Sequence, residues 1–161
     1  MLGLASLLLA STPPIATINR PPDFGDYPTA VFKGPLRFPN KRAWPDTHWR
    51  ENAALRVNFA GHFTHVTISC GMACISDWVI DRRTARMFRT PTGAGDVEPL
   101  KIETRADSNL MKIVWVGSRN DGSGDTFPPC FRQFFIWTGS GFRAYAKRTE
   151  IQCPPDVARP Q

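Results

Sequence analysis

Seven short runs rich in aromatic and β-branched residues follow one another from residue 59 onward, at 59–69, 75–81, 86–89, 101–104, 110–116, 131–137 and 142–147. Gly, Pro, Asn and Asp punctuate them at intervals of about ten residues, the spacing of an antiparallel meander. Strands this close together can be joined by tight turns, whereas parallel strands need crossover helices. Only 46–55 has helical character, with Asp46 or Thr47 as a cap before good helix formers and with Trp49 and Ala53 on one face. A βαβ architecture is therefore disfavoured. Apolar side chains also fall on both faces of single runs, as with Phe131, Phe135 and Trp137 against Phe134 and Ile136. A sheet open to water on one side has no use for both. The expected fold class is mainly β, a single antiparallel meander curled into a small barrel or sandwich, with one short helix and a proline-rich N-terminal leader.

The chain has 161 residues, 42% of them hydrophobic and 21% charged, which fits one globular domain. No apolar run reaches the ~20 residues needed to span a bilayer. The opening stretch MLGLASLLLA is uncharged and apolar, and small residues and Pro13-Pro14 follow it. Residues 1–16 thus read as a signal peptide or an apolar anchor. Eight of the fifteen prolines lie between Ser11 and Pro45, so 17–45 reads as an extended leader lying over a disulfide-braced β domain at 46–161.

Four cysteines, Cys70, Cys74, Cys130 and Cys153, suit two bridges in an oxidising compartment, periplasmic or extracellular. Three pairings exist, and spacing favours Cys70–Cys74 with Cys130–Cys153. The first needs the chain to turn, which Gly71 permits. The second closes the open end of a hairpin folded at Gly139-Ser140. A zinc reading would join Cys70 and Cys74 to His62 and His65. However, zinc sites use C-x2-C or H-x3-5-H spacing, and neighbours three apart on a strand point to opposite sides unless Gly61 marks a bulge.

Three segments carry a family likeness: Asn58-Phe59-Ala60-Gly61-His62-Phe63, Ser69-Cys70-Gly71-Met72-Ala73-Cys74, and Val79-Ile80-Asp81-Arg82-Arg83-Thr84. Together they resemble a family of small exported bacterial proteins of unknown function, which has N-F-A-G-H-[YF], a strand ending in W-G-C-G-x-x-C, and I-V-D-x-[KR]-T-G. The likeness extends with lower specificity through 105–110 and the Phe134 to Trp137 hairpin, covering about residues 47–147. Two departures are Ile68-Ser69 in place of Trp-Gly and Ala85 in place of Gly, the latter bearing on the turn after Asp81. The resemblance implies export and a β-rich fold, and it implies no activity.

The polar residues within these motifs, Asn58, His62, Asp81 and Asp107, are the candidate site residues. His62 is expected on the strand face of Thr64, Val66 and Ile68, pointing inward with a structural hydrogen bond, and His65 on the opposite face. No G-x-S-x-G elbow, H-E-x-x-H helix or phosphate-binding loop is present. Residues 120–125 carry oxygen donors but lack the spacing and final Glu of a calcium loop. The sequence therefore assigns no catalytic residue, metal or cofactor.

Lys and Arg outnumber Asp and Glu by 20 to 14, and Arg82, Arg83, Arg86 and Arg89 crowd one turn. Such a turn attracts an acidic protein or an anionic envelope component, with peripheral membrane contact and without nucleic acid if the chain is exported. The leading reading is an exported, non-catalytic binding or inhibitory module of the bacterial envelope. The alternatives are a metal-binding protein or hydrolase centred on His62, and a structural envelope protein.

Overall fold

The computed structural model describes residues 20–44, 47–71, 74–91, 99–117 and 129–154. The 1–16 segment, the Asp46 cap and the 120–125 loop fall outside them, as do the side chains of Cys70 and Cys74. The chain is mainly β and antiparallel, as the strand spacing predicts. The strands divide into two sheets and do not close into a barrel.

The first sheet has the order β1-β2-β3, with β1 at Phe63–Gly71, β2 at Cys74–Asp81 and β3 at Met87–Arg89. Gly71 pairs with Cys74, so the chain does turn between them. The second sheet runs β4 (Pro99–Thr104), β5 (Leu110–Val116), β6 (Cys130–Trp137) and β7 (Phe142–Ala144), and β8 (Thr149–Ile151) also pairs with β6. The last predicted strand, 142–147, is thus shortened to β7, and β8 follows beyond its predicted end. Phe135 pairs with Ala144 and Arg132 with Thr149, so two extra residues must be absorbed between β7 and β8. The hairpin turns where Thr138 N–H reaches the Gly141 carbonyl, with Gly139 at φ 93°.

Alternation along each strand gives each sheet two faces. Facing sides meet in a shared core of Phe59, Phe63 and Val79 with Met111, Ile113, Trp115 and Trp137. Trp137 is its hinge-pin, with ring centroids 4.7 Å from Phe63 and 5.1 Å from both Phe88 and Phe142. Edge-to-face aromatic pairs of this kind contribute beyond their buried area. The outer side of the first sheet, with Val66, Ile68 and Ile80, is covered by Phe38 and Trp44 of the leader and Trp49 of the helix.

The helix α1 spans Trp49–Ala54 and is shorter than predicted. Its N-cap is His48, which makes no side-chain capping bond, in place of the expected Asp46 or Thr47. Its other end is terminated from outside. Arg82 donates to the carbonyls of Leu55 at 2.7 Å and Ala53 at 3.1 Å, satisfying acceptors that a helix end leaves orphaned. The leader is pinned by backbone bonds from Thr29 N–H to Asp107, Phe32 N–H to Gly61 and Arg37 N–H to Arg82. Ser108 completes the attachment through its hydroxyl, 2.7 Å from the Phe24 carbonyl.

Cys130 and Cys153 are joined, the pairing that the hairpin geometry predicts. Among the described residues, no helix is long and apolar enough to cross a membrane.

Candidate functional site

The predicted first strand begins four residues late, and this moves the principal candidate. Residues 59–62 form a turn in which Ala60 and Gly61 take positive φ (43° and 77°) and Phe59 bridges to Phe63. Gly61 is obligatory here, since a Cβ would collide with the Ala30 carbonyl oxygen as well as meet the strained backbone. Its N–H bonds the Ala106 carbonyl, while the Ala60 N–H bonds that of Ser108. The N-F-A-G-H segment is therefore the junction of both sheets and the leader.

His62 consequently lies off the strand face of Thr64, Val66 and Ile68, contrary to expectation. Its imidazole leans on the Phe63 ring, with centroids 4.3 Å apart, and its Nε2 is 3.8 Å from Asp81 Oδ1. The side chain is 20% exposed, so it is reachable from solvent. Burial and the Arg83 charge lower its pKa, and Asp81 only partly offsets them. Asp81 is buried, which by itself would raise its pKa. Donors from the Arg83 N–H and Thr84 hydroxyl, both 2.9 Å away, outweigh that effect together with the His62 and Arg83 charges. Its carboxylate thus stays ionised while it organises the 81–85 turn. Ala85 closes that turn at φ 65°, a left-handed conformation that suits glycine.

Asn58 and Asp107 hold the backbone together. Asn58 accepts from the His65 N–H at 2.6 Å and donates to the His65 carbonyl at 3.1 Å. The Asp107 carboxylate pairs locally with Arg105 on the surface, at 2.7 and 3.0 Å, and its carbonyl anchors Thr29.

The four clustered arginines do not form one patch. Arg82 is only 3% exposed and is withdrawn from the surface. Besides Leu55 and Ala53 it reaches the Thr64 hydroxyl at 3.2 Å, and its guanidinium stacks over Phe38. Burial lowers its pKa from the ordinary guanidinium value. Arg86 lies over Phe88 on the core side of β3, whereas Arg89 lies over Trp78 on the leader side. What remains at the turn is exposed Arg83 and Arg86. Exposed Arg37 joins them, because its backbone is bonded to Arg82.

A second histidine–aspartate pair was not foreseen. His65 Nε2 is 3.1 Å from Asp77 Oδ1, which also accepts from the Thr67 hydroxyl at 2.7 Å. Register places Thr67 opposite Asp77, but the bulge between Ser69 and Gly71 hides that pairing from a count back along the hairpin from Gly71 and Cys74. Asp77 and Asp81 lie about 13 Å apart along β2, so the two imidazoles address different carboxylates. Among the described residues, no three His, Cys, Asp or Glu side chains converge as metal ligands.

Comparison of the chain with family models, curated proteins and solved structures finds no match.

Proposed function

We propose that the protein is an exported, non-catalytic binding module of the bacterial envelope that contacts an anionic surface or acidic protein through its 81–86 turn. The observation carrying this reading is the exposed triplet Arg37, Arg83 and Arg86 on a backbone fixed by Asp81 and by the buried Arg82. A rigid turn presents these charges without the ordering cost of a flexible loop. Export is supported by the Cys130–Cys153 bridge, by the apolar opening of the sequence, and by its motif likeness to small exported proteins.

Cosedimentation with phosphatidylglycerol vesicles tests it, with phosphatidylcholine vesicles as the neutral control and a pull-down from envelope extract as the protein arm. Each arginine near an anionic surface contributes about 1 kcal/mol, so three give roughly a hundred-fold. Arg83→Glu with Arg86→Glu abolishes retention in whichever arm is positive, and about 0.5 M salt releases the wild type by screening. Retention that ignores both salt and charge reversal refutes the proposal.

A further inference from the structure

The outer face of the second sheet carries a cleft separate from the arginine turn. Lys112 of β5 stands opposite Phe134 of β6, and Val114 opposite Arg132, so these side chains share a face. The leader crosses that face at 21–24, leaving an open-sided cleft of about 280 Å³ against Pro22, Phe24, Leu110, Lys112, Arg132 and Phe134. This lies at the small end of ligand-sized pockets.

Its charges are unequally used. Glu103 sits between Lys101 at 3.0 Å and Lys112 at 2.8 Å, each ion pair taking one of its oxygens. The Asp23 carboxylate accepts the Phe24 N–H at 2.6 Å. Arg132 is different. Its guanidinium lies 5.4 Å from the Phe134 ring centroid, and its Nε is enclosed without a hydrogen-bond partner. Among the described residues none forms a hydrogen bond or ion pair with it. The enclosed Nε is out of a ligand's reach, but the guanidinium lines the cleft, and its remaining N–H groups match a carboxylate in geometry as well as charge. Beside it, Pro22, Phe24, Leu110 and Phe134 supply flat apolar walls.

We infer that this cleft binds a small monocarboxylate with a flat apolar body, its carboxylate on Arg132 and its body between the leader and the sheet. Lys101, Lys112 and Arg132 against Glu103 and Asp23 leave one excess positive charge, which suits a monoanion better than a phosphate. The site is independent of the vesicle-binding turn.

Titrating the labelled full chain with benzoate, followed by amide chemical shifts, tests the assignment. Saturable shifts are expected at Leu110, Lys112 and Phe134. Neutral benzamide should bind at least ten-fold more weakly, and Arg132→Gln should weaken benzoate by a similar factor. Arg83→Glu with Arg86→Glu should leave benzoate binding unchanged. If Arg132→Gln loses its dispersed spectrum, Phe24→Ala decides, because it removes one wall of the cleft and leaves both sheets intact. Equal binding of benzamide, shifts confined to the 81–86 turn, no saturable binding, or no effect of the deciding variant each overturns the inference.

Discussion

Replacing Arg82 with Met separates a structural role from a surface one. The variant keeps an unbranched apolar stem but removes three donated hydrogen bonds, to Leu55, Ala53 and the Thr64 hydroxyl. Hydrogen bonds from a charged group contribute about 1.5–3 kcal/mol each. Two effects cut the sum: methionine avoids the cost of burying a charge, and the exposed Leu55 can recover water at its carbonyl. The Ala53 carbonyl and the Thr64 hydroxyl are less easily hydrated, since Thr64 is fully buried. The expected loss is about 2–4 kcal/mol, which for a chain of this size lowers Tm by about 5–15 °C. Arg82→Lys keeps the charge but cannot span all three acceptors, and should lose about half as much. Urea and thermal unfolding of the disulfide-intact protein measure both. If Arg82→Met unfolds within about 0.5 kcal/mol of wild type while vesicle retention falls, Arg82 belongs to the binding surface and the argument for its burial is wrong.

Gly61→Ala should destabilise by about 1–3 kcal/mol through its positive φ and the clash with Ala30, and should speed proteolysis of the leader; unchanged urea midpoints and digestion rates would refute the junction role. Ala85→Gly should do the opposite, stabilising by about 0.5–1 kcal/mol because Ala85 sits at φ 65°, and a loss of stability in the same assay would count against that turn. Opening the Cys130–Cys153 bridge by Cys130→Ala with Cys153→Ala should cost about 3 kcal/mol from the entropy of a loop with sequence separation 23, read from urea midpoints. For pH, His62 has a folded pKa below its unfolded one, so the stability it confers is complete above about pH 6.5 and is lost as pH falls through the folded value. Asp81 behaves likewise, its contribution present above about pH 4 and lost in more acid solution. Proton-detected titration of His62 should show the lowered midpoint, and Asp81→Asn should lower it further, because the Asp81 charge is what partly holds it up.

Strand content was legible because hydrophobic alternation is local: β5 matches its predicted run at both ends, and β2 and β6 each differ by one residue. The division into two sheets was not, since it depends on whether β3 pairs with β4, which alternation within either strand does not reveal. Positive φ at Ala60 is invisible in the residue type, so alternation carried the first strand through 59–62 and put His62 on the wrong face. The Arg82 error has the same origin. Charge density at a turn is readable, but whether a guanidinium turns outward depends on a helix end 27 residues away in the chain. The Cys130–Cys153 bridge was legible because its hairpin is contiguous, whereas the bulge between Ser69 and Gly71 shifts the register by one and hides the nearness of Asp77 to His65.

The Ser108 hydroxyl grips carbonyls 84 and 81 positions earlier, at Phe24 and Tyr27. The 24–27 stretch therefore has no seat on the second sheet until residue 108 has been made. Closing so wide a circuit is entropically slow and gives nothing back until its last contact forms. That stretch thus stays unlatched while β1 to β4 are made.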